Sequence, residues 1–340
     1  MALLFIDGFD HYATADITKK WTTIGAGSPV INASAGRRSG GALLSPSVTT
    51  NTANITKTLA ASYATLIVGF AFKVTAMSGR TVLRLFDGGT EHVNLRLNAD
   101  GTLSVRRATT VLTTSANSIS TDTWYFLEFK ATIHDTTGAY DLRVNGVSWT
   151  SGSNVDTRNA GNASVNAVSL GTEGVALASL TQYFDDCYIA DTSGSAPHND
   201  FLGDVRIDTL YPTADGTYTQ FTPSTGTDHY ALVDETAPNT SDYVESSTAG
   251  HKDSYAMGDL SAITGTIFGV QVNVAALKDD AGARSLKVGV RSGTTDSVDA
   301  GTALSTSQTY CRRILETDPA TAAAWTESGV NAAQALVEVL

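Results

Sequence analysis

At 340 residues the chain is longer than one hydrophobic core comfortably serves, which implies two domains. Its 42% hydrophobic but only 16% charged residues suit strands and turns better than amphipathic helices, with Thr, Ser and Gly filling the polar positions. A net charge of −12 repels phosphate and argues against a nucleic-acid partner. No apolar run approaches the roughly 20 residues of a membrane-spanning helix, so no membrane partner is expected.

In chain order, Leu3 to Phe9 reads as an opening strand. It lacks a basic leader and meets Asp7 early, so no signal peptide is expected and synthesis in a cytoplasm is. An irregular stretch containing Trp21 leads to the turn Arg37-Arg38-Ser39-Gly40-Gly41 and a short strand at Ala42-Leu43-Leu44. Ala64 to Val74 is a long apolar strand. Arg80 to Asp87 and Glu91 to Asn98 form a hairpin-like pair, and the turn Asn98-Ala99-Asp100-Gly101 opens Thr102 to Arg107. Thr123 to Ala131 is the most strand-like segment. Tyr140 to Val144, the turn Asn145-Gly146 and Val147 to Trp149 form a hairpin, and Asn166 to Gly171 follows. Tyr183 to Asp191 alternates apolar and polar residues and closes the first set of strands.

Strands this short and evenly spaced predict a β-sandwich over 1–192. A linker is expected at 193–204 and a second β-sandwich, an assembly or attachment module, over 205–340. The expected strands of that second domain are Val205–Tyr211, Asp228–Val233, Asp242–Glu245, Ser254–Met257, Thr266–Leu277, Ser285–Arg291 and Tyr310–Leu315. One short helix is expected over Thr326 to Gln334, followed by a strand at Ala335 to Leu340. The predicted fold class is therefore all-β, with two sandwich (jelly-roll) domains. Cys187 and Cys311 lie in different domains within apolar strand patterns and read as buried free thiols.

Four stretches of the first domain carry a family likeness: Leu4-Phe5-Ile6-Asp7-Gly8-Phe9-Asp10, Gly36 to Leu43, Thr123 to Phe129 with Tyr140 to Val147, and Phe184-Asp185-Asp186-Cys187-Tyr188-Ile189. In this order they resemble the concanavalin A-like lectin/glucanase family in its laminin-G-like form. The whole chain resembles a class of tailed-bacteriophage virion proteins. That likeness is carried by Asn199 to Ile207, Pro212 to Gly216, Asp242 to Ser246, Gly269 to Val272, Arg291-Ser292-Gly293, and Asp318-Pro319 followed by Trp325. The resemblance implies a structural or receptor-engaging part of a virion, either a tail-tip or fibre component or a head decoration protein. It also implies other virion proteins as partners, homo-oligomers within a symmetric assembly, and contact with bacterial surface glycans.

Three chemistries compete with bland readings. Glycoside hydrolysis needs two carboxylates facing one scissile bond, about 5 Å apart for retention. The family's hydrolases carry Glu-x-Asp-x-x-Glu on one strand, and here Glu128 has no such partner, so it reads as a solvated strand residue. A non-enzyme is expected, with a polysaccharide hydrolase as the enzymatic alternative. Calcium is the second chemistry. Pairing of the first and last strands would bring Asp7 or Asp10 near Asp185 or Asp186, although adjacent acids on a strand point to opposite faces. The competing reading has these acids capping turns. Glycan binding is the third, with Trp149, Tyr140, His92 and Arg143 as candidates against plain packing, while Trp124 reads as core. The six histidines are scattered without metal-ligand spacing, and no phosphate loop or Gly-x-Ser-x-Gly elbow occurs.

Overall fold

The computed structural model describes residues 2–46, 52–173, 180–260 and 265–340. The chain divides into two compact units, Met1–Ile207 and Asp208–Leu340.

The first unit is built from two antiparallel sheets. One runs, in spatial order, Val147–Val155, Gly138–Val144, Tyr125–Thr132, Thr65–Val74, Thr181–Ala190, Ala42–Pro46 and Val30–Asn32, with Leu3–Asp7 also paired to Thr181–Ala190. The other runs Thr110–Ser118, Thr102–Arg107, Thr90–Leu97, Arg80–Asp87, Val165–Glu173, Thr52–Tyr63 and Thr23–Ile24. Strand alternation sends one face of each sheet inward. Leu66, Val68, Phe70, Phe72, Leu127, Phe129 and Phe184 are fully buried from the first, and Leu83, Leu85, Val93, Leu95, Val105, Val168 and Leu170 from the second. Phe184 sits 5.7 Å from Phe70 and 5.4 Å from Phe72 between ring centroids. Each such side chain contributes about 1.5–3 kcal/mol on burial.

The pairing of the chain's first and closing strands follows expectation: Phe5 lies opposite Ile189 and Asp7 opposite Cys187. The Asn145-Gly146 turn has both residues in the left-handed region, φ 50 and 78, as a tight two-residue hairpin requires. Thr52–Tyr63 was not legible in the sequence. Its scattered apolar residues gain their meaning only from pairing with Val165–Glu173. A single helical turn, Ile17–Lys20, buries Ile17 and Lys20 beside the opening strand.

The first unit does not end at 192. Residues 193–207 belong to it, and the stretch expected to be a free linker is bonded along the sandwich. The strand expected at Val205–Tyr211 is absent, because Ile207 bonds to a side chain rather than to a ladder.

In the second unit a six-stranded sheet runs Pro212–Thr219, Lys252–Met257, Gln334–Val339, Ser285–Ser292 and Thr295–Val298, with Thr302–Ala303 also on Ser285–Ser292. The pair Val270–Ala276 and Thr309–Leu315 packs against it, burying Val272, Cys311 and Leu315 with Val288, Val290, Val337 and Tyr255. Trp325 closes this core and donates its Nε1–H to the Leu315 carbonyl at 3.0 Å. The expected helix is Glu327–Ala332, N-capped by the Thr326 hydroxyl. Asp228–Val233 is not a strand but a turn of 3-10 helix at Tyr230–Leu232. The Asp215 carboxylate accepts the His229 and Tyr230 amides there and fixes the turn. Cys187 and Cys311 are both free and buried, one in each unit.

Candidate functional site

Alternation also decides what the eight-stranded sheet turns outward. Glu128 pairs with Gly69 and with Arg143, and Tyr188 pairs with Gly69, all on the face opposite the core. Gly69 is needed there, since a Cβ would lie 2.0 Å from the Tyr188 ring. Residues 200–207 lie across this face as a strap. Asp200 pairs with Lys130 at 3.1 Å, and the Phe201 ring stacks 4.1 Å from the Arg143 guanidinium. The Leu202 amide donates to the Tyr188 hydroxyl at 3.2 Å, and the Gly203 amide to Glu128 Oε1 at 2.8 Å. Gly203 holds φ +84 to do so, a conformation that favours glycine. Asp204 pairs with Arg37 at 2.6 Å, and the Ile207 amide donates to Asp186 Oδ1 at 2.8 Å.

Glu128 is therefore not a solvated strand residue. It is 1% exposed, and its Oε1 also accepts from the Tyr188 hydroxyl at 2.5 Å. Burial raises its pKa, opposed by the Tyr188 hydroxyl, the strap amides and Arg143. Burial first, then the charge of Glu128, raises the Tyr188 phenol well above its usual value. A carboxyl hydrogen-bonded to a tyrosine has the makings of an acid–base pair. Here it is sealed beneath the strap, and the Arg143 guanidinium lies close enough to favour the ionised carboxylate.

Asp185 and Asp186 lie at the end of the same face. Adjacent strand residues were expected to diverge, but a bulge between Asp185 and Tyr188, with Asp186 at φ 48, breaks the alternation. Both carboxylates meet Arg37. Asp185 Oδ2 accepts its amide at 2.7 Å, and Asp186 Oδ2 lies 3.6 Å from its guanidinium. Burial, then the charge of Asp186, pushes Asp185 upward. Burial pushes Asp186 upward against the Ile207 amide and the Arg37 and Arg38 cations. Asp10 adds to both, while its own Oδ1 accepts the Gly41 amide at 2.6 Å.

Asp7 stands apart from this group. It is 1% exposed and accepts four donors: the Phe9 amide at 3.0 Å, Lys20 Nζ at 3.1 Å, and the Tyr12 hydroxyl and Trp21 Nε1–H at 2.7 Å each. Burial opposes ionisation, but Lys20, His11, Tyr12 and Phe9 together hold its pKa below the usual value. His11 is pushed down to about 3 by burial and by Lys20, so its neutral ring accepts the Lys20 ammonium at 3.1 Å. Of the acids proposed for calcium, Asp10 therefore lies near Asp185 and Asp186, while Asp7 is engaged by Lys20, Tyr12 and Trp21. Among the described residues no group of three or more His, Cys, Asp or Glu is placed to hold a metal ion.

The four glycan candidates are also dispersed. Tyr140 faces the core side, 6% exposed, with its ring against Gly152, where a Cβ would lie 2.7 Å away. Trp149 is half-buried on the edge strand Val147–Val155. His92 is fully buried on the other sheet, its Nδ1 accepting the Asn159 amide at 3.2 Å. Arg143 is capped by Phe201. Trp124, read as core, is instead half-buried beside Tyr183, with Lys73 5.0 Å and 4.3 Å above their rings.

The chain matches no protein-family model and no curated protein. Among solved structures it is similar to an endo-β-1,4-glucuronan lyase from the fungus Trichoderma reesei (TM-score 0.41, 11% identity, 50% of this chain and 90% of that one). It is also similar to alginate lyase Aly36B (TM-score 0.39, 10% identity, 54% and 92%) and to the botulinum neurotoxin type G receptor-binding domain (TM-score 0.38, 13% identity, 76% and 74%). At these scores and identities the likeness carries no argument about activity or ligand. The chain's own geometry makes it an all-β protein whose first unit is an antiparallel sandwich with one strapped face.

Proposed function

We propose that this chain is a non-enzymatic structural protein of a tailed-bacteriophage particle, a tail-tip or fibre component whose first sandwich contacts host-surface glycans. The observation that carries the reading is the strap, which fills a polar sheet face and seals Glu128, the glutamate weighed for hydrolysis. The strap is also the Asn199 to Ile207 stretch in which the chain resembles virion proteins, so the shared sequence has an architectural role to explain it. Assembly is supported by two neighbouring edge strands. Thr113 and Thr150 hydrogen-bond at 3.1 Å between them, and Val111 and Val147 stand 54% and 63% exposed nearby. Edges of this kind accept further strands or a second copy.

Two measurements test the proposal. Electron microscopy of the parent particle with a labelled copy should place the label at the tail tip or fibres. Label on the head would make the chain a decoration protein, and no label on any particle would remove the virion reading. Incubation with host polysaccharide should release no sugar, and release that disappears in Glu128→Gln would overturn the non-enzymatic reading.

A further inference from the structure

Among the described residues, the outer face of the seven-stranded sheet carries no strap like 200–207, and the Asn159 amide bonds His92 at 3.2 Å on that face. Across it runs a row set by register: Thr56 opposite Ser169, Ser169 opposite Arg84, Arg84 opposite Asn94, and Asn94 opposite Arg106. At about 4.8 Å per strand this row spans roughly 19 Å. Arg96 lies one step along, opposite Ser104.

Two features of the row are costly without a ligand. The first is charge. On a chain of net charge −12, Arg96 has its pKa lowered by burial and by the guanidinium groups of Arg106 and Arg80. Among the described residues no carboxylate pairs with Arg96 or Arg106. Arg96 lies over Gly79, where a Cβ would meet its Nη2 at 2.6 Å, and Arg106 donates from Nη2 to the Thr109 carbonyl at 2.5 Å. The second is unmet hydrogen bonding. Asn94 is 4% exposed and spends its Nδ2 hydrogens on Glu91 Oε1 at 2.5 Å and the Ala108 carbonyl at 2.8 Å, leaving Oδ1 without a donor. Ser169 Oγ, 2% exposed, and Arg106 Nε are also unsatisfied. Buried polar atoms of this kind keep their desolvation penalty with no hydrogen bond to offset it.

We infer that this face binds an acidic, carboxylate-bearing polysaccharide, with Arg96 and Arg106 holding the carboxylate and Asn94 and Ser169 the sugar hydroxyls. The inference rests on the glycan-contact reading above and names its ligand class and its place. Guanidinium groups match carboxylates in a two-pronged fit. An orphan amide oxygen needs a donor, which a hydroxyl supplies and a carboxylate or phosphate does not. Asn94 lies on the row between Arg84, which pairs with Glu91 at 3.9 Å, and Arg106, so its oxygen sits beside the guanidinium left for the ligand. An extended row suits an extended chain.

The test is affinity electrophoresis and calorimetry of the full chain at 150 mM salt with polygalacturonate, dextran and polyglutamate. Wild type should bind polygalacturonate but neither of the others, and Arg96→Gln/Arg106→Gln should weaken binding about tenfold or more. The melting temperature of that variant should equal or exceed wild type, because it relieves like-charge repulsion, and this separates lost binding from lost folding. Equal binding of polyglutamate would overturn the saccharide assignment. Polygalacturonate binding that survives the double substitution would overturn the site. Dextran binding untouched by the variant would overturn the inference while leaving glycan contact standing, and failure to bind any polysaccharide would overturn both.

Discussion

Asp7 shows what a single side chain organises in the first unit. Its four donors come from the loop after Asp7, from Lys20 and from Trp21 just beyond it, so they tie that loop to the opening strand, which pairs in turn with the closing one. Lys20→Met leaves a buried carboxylate without its cation and should cost about 3–5 kcal/mol, read from the urea midpoint. Asp185 behaves oppositely. Its pKa is raised in the fold, so the native state keeps a proton that the unfolded chain, titrating near about 4, has released. Stability from this group is therefore present at low pH and is lost as pH rises from about 4 through the raised value. Melting temperature should fall less steeply between about pH 5 and 9 in Asp185→Asn than in wild type, by scanning fluorimetry, and parallel curves would show that the acid pair does not titrate there.

At the level of elements, local signals and distant partners divide what the sequence revealed. The Asn145-Gly146 turn, the Tyr125–Thr132 strand and the pairing of Leu3–Asp7 with Thr181–Ala190 were legible, because alternation and turn chemistry are local. Residues 193–204 read as a linker because Gly, Ser and Pro dominate their first half. The strap's bonds are main-chain amides reaching Glu128, Tyr188 and Asp186, which leave no periodic mark. The same blindness made Glu128 look solvated and let Asp185 and Asp186 seem to diverge, since neither a covering segment nor a bulge is written in neighbouring residues. Among the glycan candidates, His92 alone lies on the outer face of the seven-stranded sheet, and the row there emerges only once register is known. The strap's contribution is measurable. Fragment 1–192 should melt below fragment 1–207 and exchange the Glu128-bearing strand faster by hydrogen–deuterium exchange. Identical melting would mean that the strap rests on the sheet without stabilising it.

The whole molecule consists of two units with separate hydrophobic interiors. Fragment 208–340 should therefore unfold cooperatively by itself in circular dichroism, and a broad, featureless melt would show that it depends on the first unit. Joining them through a bonded strap has a mechanical consequence. Tension applied between the two units loads the 193–207 stretch before it loads any sheet ladder. Its attachments are spaced one after another, at Ile207, Asp204, Gly203, Leu202, Phe201 and Asp200, so they yield in sequence like a zip rather than together. At about 3.4 Å per residue the released stretch can extend to roughly 50 Å, and the slack gained is that length less the distance it already spans. A load pulling on this protein would meet a yielding tether first and an intact sandwich afterwards.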